Sequence, residues 1–386
     1  MNRRTFLQTL GGGVLALAQA GVGFARVSQQ GRFVFILLRG GLDGLAALVP
    51  YGDPDYLALR AGFAYDASEL AALTDMFALA PGLSPLRAFW DRGELAALHA
   101  VAIPYRTRSH FDGQAVLETG LDRPLGASDG WLNRLLQVMD GQRAGVAIAA
   151  GTPRSMSGRF DVQTWSPTRL GIVDDVYLER LAALYRTDRA LHGRFEAALQ
   201  QQTLVGEEAM AGAGARRTGI VPLLQATAHI MRQDRAPNIA ALDFSGWDTH
   251  ANQGLAAGPL DRLLAQLADG LVAFRTEMES AWTDTTVVVM TEFGRTARPN
   301  GTRGTDHGTA GTAFVLGSRL ARSVVVADWP GLSGAALFES RDLKPTLDTR
   351  AVLRSAVAGT FDLTAAQLDR ALPGAASSAA LARLMR

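Results

Sequence analysis

The chain contains no cysteine, which rules out disulfides, thiolate metal ligands and a Cys nucleophile. It also lacks an excess of charge of either sign. Its 38 Lys and Arg stand against 37 Asp and Glu, a net charge of +1, and the two signs are mixed along the chain. Nothing therefore marks a nucleic-acid surface. No internal repeat is visible. What is abundant is apolar: 48% of the 386 residues are hydrophobic, enough for a large core in one big α/β domain or two smaller ones.

The N-terminus reads Met1-Asn2-Arg3-Arg4-Thr5-Phe6-Leu7, followed by an uncharged Leu/Ala/Gly stretch to Ala25. A basic start, an apolar middle and the small-residue exit Ala18-Gln19-Ala20 form a signal peptide over residues 1–25, and the paired arginines resemble the twin-arginine export signal. The expectation is a periplasmic or secreted protein, carried folded by the twin-arginine translocase. Its glycines, Gln8 and Gln19 make the segment weakly apolar for a membrane anchor.

Short, continuous apolar runs bounded by glycine read as buried strands at 32–38, 95–103, 145–150, 238–244, 285–290, 312–316 and 323–327. Helical patterns alternate with them at 129–139, 176–204, 221–232 and 260–282, and Ser84-Pro85 is expected to open another. Such alternation predicts an α/β fold with a mainly parallel sheet sandwiched between helices, as one domain over 30–386. The segment 151–217, poor in strand signals, is expected to be a helical insertion.

Three polar clusters stand out: Gly246-Trp247-Asp248-Thr249-His250, Thr291-Glu292-Phe293-Gly294-Arg295-Thr296 and Gly304-Thr305-Asp306-His307-Gly308. The first two follow apolar runs and the third lies in a Gly-rich loop. Loops at one sheet edge would aim their acids and imidazoles at a common point, where a divalent cation is the natural ligand. Asp248 and His250, at i and i+2, suit an extended loop. Glu292 would face the same edge as a further ligand. Arg295 either binds an anionic substrate group or pairs with Glu292. Asp306 and His307 lie among four glycines in twelve residues, consistent with backbone close to a ligand.

Asp43, in Arg39-Gly40-Gly41-Leu42-Asp43-Gly44 after the first strand, is a carboxylate ligand or a turn former. Ser109 stands at a helix start, as a nucleophile or an ordinary N-cap, and His110 beside it is a ligand or a general base. His99 reads as a satisfied core histidine. His192 and His229 carry no assigned role.

Together with Ser109-His110-Phe111-Asp112 and Gly130-Trp131-Leu132-Asn133, these motifs resemble the bacterial domain-of-unknown-function 1501 family, across nearly the whole mature chain. That family resembles the alkaline phosphatase and sulfatase superfamily. The resemblance implies an alkaline-phosphatase-like α/β fold with a metal site of Zn, Mn, Mg or Ca at the strand ends. It implies Asp43, Asp248, His250, Glu292 and His307 as metal ligands and Ser109 as the nucleophile, to which the loop reading adds Asp306 as a ligand and His110 and Arg295 as catalytic residues. The departures are a shortened Asp248-Thr249-His250 spacing, Glu292-Phe293 in place of an Asp-His pair, and no Cys-x-Pro-x-Arg motif, so a formylglycine nucleophile is excluded. They put a complete two-metal site in question. The expected activity is metal-dependent hydrolysis of a phosphate or sulfate ester, on a small molecule or glycan, with a non-catalytic periplasmic binding or assembly protein as the alternative.

Overall fold

A computed structural model describes residues 31–139, 144–166, 219–233 and 236–386, with single positions at 182, 184, 185, 188 and 192. The expected signal peptide and most of the helix expected at 176–204 lie outside the described residues. Strands β1 (Arg32–Arg39), β5 (Leu95–Ala102), β6 (Gly145–Ile148), β7 (Gln163–Trp165), β8 (Ile239–Ser245), β9 (Thr285–Thr291), β10 (Gly311–Leu316), β11 (Val324–Val326) and β12 (Leu347–Asp348) build the main sheet. A small antiparallel sheet joins β2 (Leu48–Val49), β4 (Ala78–Leu79) and β3 (Ala71–Ala72).

The main sheet runs β11-β5-β10-β9-β1-β8-β6-β7, with β12 also on β5. The pairs of β1 with β8 and β9, of β6 with β7 and β8, and of β5 with β11 and β12 are parallel. Strand β10 runs against both neighbours. This reversal brings the start of β10 to the edge at which β9 ends, so the 292–310 connection stays at that edge.

Helices α1 (His110–Thr119), α2 (Trp131–Val138), α3 (Ile220–Met231), α4 (Pro259–Met278), α5 (Thr349–Thr360) and α6 (Ala365–Ala371) cover the sheet. Strand β1 shows why the fold needs two layers. Val34, Ile36 and Leu38 enter a core with Leu224, Leu264, Leu271 and Phe274 of α3 and α4. Phe33, Phe35 and Leu37 enter another with Trp131, Leu135, Val352 and Val357 of α2 and α5. Residues i and i+2 share a face of a strand, so an unbroken apolar run demands cover on both sides. Trp131 meets the Phe33 and Phe35 rings edge-on at 5.9 and 5.4 Å. Truncating either Phe would cost about 3 to 5 kcal/mol.

Local details differ from the sequence reading. The helix expected at Ser84-Pro85 starts earlier, as a 3-10 segment over Pro81–Leu86 that runs into a short helix at Arg87–Asp91, because Pro81 already supplies the first-turn proline. Helix α4 stops at Met278, where Glu279 takes a positive φ of 50°, and a 3-10 turn covers Glu279–Asp284. Within 151–217, β7 joins the main sheet.

Candidate metal centre

The site lies on the carboxyl edge of β1, β5, β8 and β9. Its first element is an arginine, Arg295, whose side chain is wholly buried. Nε donates to the Gly41 carbonyl at 2.6 Å, Nη1 to Thr305 O at 3.0 Å, and Nη2 to Gly40 O at 2.8 Å, to Trp247 O at 3.2 Å and to Asp248 Oδ1. One guanidinium thus binds the loop after β1, the loop after β8 and the 304–308 loop together. The backbones are correspondingly close. A Cβ on Gly40, whose φ is +126°, would sit 2.5 Å from Asp248 N, and one on Gly308 would sit 2.3 Å from Arg295 O. The expected role of Arg295 in binding a substrate anion is therefore corrected. Its donors are spent on carbonyls, on Asp248 and, at 3.5 Å, on His250 Nε2, with no exposed face left, and the Glu292 pairing considered for it does not form either.

Glu292 stands fully buried at the end of β9. Its Oε1 accepts from Gly40 N at 2.9 Å, Gln114 Nε2 at 2.9 Å and His110 Nδ1 at 2.8 Å, and its Oε2 accepts from Thr291 Oγ1 at 2.9 Å. Burial pushes this carboxyl up, but the hydrogen bonds from His110, Gln114 and the main chain outweigh it and hold the group below its ordinary value. Oε1 takes three donors, Oε2 faces the Thr291 hydroxyl that is shared with Leu38 O, and the group is fully buried, so Glu292 serves as the anchor of His110 and not as the expected metal ligand. The Glu292 bond in turn raises the His110 imidazole, against partial burial.

The same arrangement recurs at the other two histidines. His250 Nδ1 meets Asp306 Oδ1 at 3.2 Å, and Asn300 Nδ2 donates to that oxygen at 2.9 Å. The Asn300 bond is the main reason that the Asp306 carboxyl lies below its usual range. Asp306, expected as a ligand, is thus the partner of His250. His307 Nδ1 meets the carbonyl of Arg108 at 2.9 Å. Arg108 has a φ of 61°, and its side chain is held by Asp342 at 2.8 Å and Glu339 at 2.5 Å.

Each Nδ1 faces an oxygen that can only accept, so in the neutral ring the proton sits on Nδ1 and Nε2 carries a lone pair. The three Nε2 atoms converge on Asp248. His250 Nε2 lies 3.0 Å from Asp248 Oδ1 and 2.9 Å from His307 Nε2, which is itself 3.4 Å from Oδ1. His110 Nε2 lies 3.4 Å from Asp248 Oδ2, buried and without a hydrogen bond. Burial raises the Asp248 carboxyl, while Arg295 and the histidines bring it below the usual range. Burial lowers His307. Imidazoles fixed by an oxygen on one nitrogen and open on the other form the usual surroundings of a metal ligand. The residues present fit a divalent cation: ligand atoms of His110, Asp248 and His307 all lie within 4.8 Å of one another. Phe293 lines the inner side, its ring centroid 4.8 Å from that of His110 and 5.2 Å from that of His307.

Two expected residues stay apart. Asp43 is buried, its Oδ2 bound by Arg60 Nη2 at 2.5 Å and Gln253 Nε2 at 2.7 Å, so the expected ligand is a structural ion pair. The turn reading of Asp43 is also met, since its carbonyl accepts from Ala46 and Ala47 N at 3.1 Å. Ser109 is the N-cap of α1, its Oγ accepting from Asp112 N at 3.4 Å, and among the described residues no hydrogen bond reaches its hydroxyl from a histidine or carboxylate. His99 is a satisfied core residue as read, bonded to Leu48 O and Ala100 N at 2.9 Å each. Sequence reasoning missed Gln114, Asn300, Gln253, Arg108 and Asp342, the residues that hold the site's loops and imidazoles. Asn300, inside the Gly-rich loop, was the one with a readable signal.

The fold and the site define an α/β protein with a histidine and aspartate cluster at the carboxyl edge of a mainly parallel sheet. The chain belongs to the family described as protein of unknown function DUF1501, whose profile matches residues 30–372. No curated protein matches it. Similar solved structures include the C-terminal periplasmic domain of EptC from Escherichia coli in complex with Zn, at 10% identity over 77% of each chain with a TM-score of 0.37. Another is the PsFucS1 sulfatase from Pseudoalteromonas sp., at 13% identity over 77% of this chain and 64% of that one, with a TM-score of 0.37. A third is the phosphonate monoester hydrolase of Agrobacterium radiobacter, at 11% identity over 77% and 70%, with a TM-score of 0.30. Likenesses at this level say nothing of what this chain binds or turns over.

Proposed function

We propose that this protein is an exported, metal-dependent hydrolase of a phosphate or sulfate ester, of the alkaline phosphatase and sulfatase type. The observation that carries the reading is the common setting of His110, His250 and His307, each with Nδ1 on an oxygen and Nε2 turned to Asp248. His110, Asp248 and His307 would hold the cation, with His250 beside them. Such a cation polarises an ester oxygen and lowers the pKa of a water.

The remaining work falls to the chain's own groups. His250 has the most open of the three rings, its side chain 43% exposed against 23% for His110 and 28% for His307. It accepts a proton at Nε2 from the water whose oxygen attacks the ester and returns it to the ester oxygen as that bond breaks and the alcohol leaves, while Asp306 on Nδ1 favours the imidazolium between the two transfers. Ser109 keeps its capping role, since no base touches it. Arg295 fixes the loops. The paired arginines Arg3-Arg4 support export through the twin-arginine translocase. No helix among the described residues is long and apolar enough to cross a membrane.

The test is hydrolysis of a panel of aryl phosphate and sulfate esters by protein stripped with chelator and then reloaded. Turnover that requires metal and disappears in His250→Ala and His307→Ala supports the reading. A fully loaded protein that hydrolyses none of them refutes it. One observation favours the alternative, a non-catalytic periplasmic binding or assembly protein: Phe293 and Arg295 place carbon and a spent guanidinium where a second set of ligands and an anion clamp would serve catalysis. Metal binding with no turnover of any ester, together with retention of a glycan or periplasmic partner, would establish it. Export is checked by fractionating cells that carry Arg3→Lys with Arg4→Lys, which should hold the protein in the cytoplasm.

A further inference from the structure

We infer that the cluster takes one cation of the zinc class, with His110 as a ligand and Glu292 and Asp306 as positioning carboxylates. This rests on the reading above that the cluster holds a cation, and goes beyond it in the metal's chemistry, its number and the division of roles.

Magnesium takes six oxygen ligands and calcium six to eight, mostly carboxylates, carbonyls and water. Of the carboxylates at this edge, Asp43 is closed off by Arg60 and Gln253. Glu292 has three donors on Oε1, an Oε2 that faces the Thr291 hydroxyl shared with Leu38 O, and no exposed surface. Asp306 already receives His250 and Asn300. Asp248 alone remains among them, and Arg295 holds its Oδ1. Against that one carboxylate stand the Nε2 atoms of His110 and His307, with His250 Nε2 beside them and against the Arg295 guanidinium. Nitrogen donors with a single oxygen suit Zn²⁺, Co²⁺ or Ni²⁺ and suit Mg²⁺ or Ca²⁺ poorly.

His110 is assigned as a ligand by its Nε2, which is buried, has no hydrogen bond and lies 3.4 Å from Asp248 Oδ2. A lone pair in that position is satisfied by a cation. The count of one ion follows from the surroundings. Among the described residues, His110, Asp248 and His307 are the one group whose ligand atoms share such a spacing, and the Phe293 ring occupies the space behind them.

Glu292 acts through His110. Its carboxylate fixes the ring and makes Nε2 a better donor, so Glu292→Gln, which keeps shape and loses charge, should weaken metal binding without removing a ligand.

The experiment is calorimetric titration of chelator-stripped full-length protein with zinc, cobalt, magnesium and calcium, alongside the visible spectrum of the cobalt form. The expected result is one equivalent of zinc or cobalt, a cobalt spectrum of a low-coordinate nitrogen site, and no displacement of zinc by millimolar magnesium or calcium. His110→Ala should lose at least 100-fold in zinc affinity and Glu292→Gln about 10- to 100-fold. Two equivalents, magnesium or calcium binding as tightly as zinc, or unchanged zinc affinity in both variants would overturn the inference. Should His110→Ala fail to fold, Glu292→Gln and the cobalt spectrum decide. One bound zinc without ester turnover would leave the inference standing and sink the hydrolase reading, while two magnesium ions with turnover would do the reverse.

Discussion

His250 and His307 face each other nitrogen to nitrogen, their Nε2 atoms 2.9 Å apart, while Asp306 and the Arg108 carbonyl occupy the opposite nitrogen of each ring. Two lone pairs at that distance repel unless something positive lies between or beside them, and the buried Arg295 guanidinium does lie beside them, its Nη1 3.5 Å from His250 Nε2. The surrounding loops hold the rings there, and Arg295 holds the loops. From this come predictions that separate the residues that would hold the cation from those that hold the frame.

Arg295→Lys should destabilise the fold by about 3 kcal/mol or more, because a buried ammonium cannot replace the guanidinium's bonds to four carbonyls and Asp248. Thermal unfolding measures this. A variant of native stability with a raised KM for an anionic ester would instead return Arg295 to the substrate.

Asp43→Asn should cost about 3 to 5 kcal/mol, since it leaves the buried Arg60 without its counter-charge. Zinc stoichiometry of the folded protein should stay the same. A folded Asp43→Asn protein that loses its metal would make Asp43 a ligand after all.

Ser109→Ala should retain ester hydrolysis and lose about 1 kcal/mol or less of stability, the cost of a long N-cap bond. Activity falling to the uncatalysed rate in a well-folded variant would assign the nucleophile to Ser109.

His99 supplies a pH dependence remote from the site. Burial lowers its imidazole from 6.5 to about 4. Folded and unfolded chains are both neutral at this residue above pH 6.5. Below it the unfolded chain takes up the proton first, so stability falls with pH until the folded group also protonates near pH 4. The loss is on the order of 3 kcal/mol. Urea unfolding across that range should show a shallower acid limb in His99→Gln than in the parent protein, and parallel limbs would contradict the assignment.

Much of the frame was legible in the sequence, for physical reasons. The run at 285–290 is a buried strand in the structure because an unbroken apolar segment has to be covered on both faces. The polar clusters after β8 and β9 do meet at one edge. Strands of two or three residues, β2, β3, β4, β7 and β12, carry too few residues to show a period. Helix α5 escaped notice although its buried face is regular. In the site, the meeting of His307 and Asp248 at one edge could be read from their loops, whereas the buried partners of Arg295, Glu292 and Asp43 could not. Their partners lie far away in the chain: His110 is 182 residues from Glu292, and Gln253 is 210 residues from Asp43. A charged residue beside a strand end has the same appearance in sequence whether it reaches into the site or away beneath it. Burial and pairing decide which, and both are properties of the fold.

His110, Asp248 and His307 are proposed to form one metal site. Elemental analysis of the full-length protein, purified without chelator and set beside His307→Ala, tests it most directly. Close to one equivalent of zinc is expected in the parent protein and little in the variant. A parent protein that holds no metal after dialysis against zinc, or a His307→Ala protein that holds as much as the parent, would contradict it.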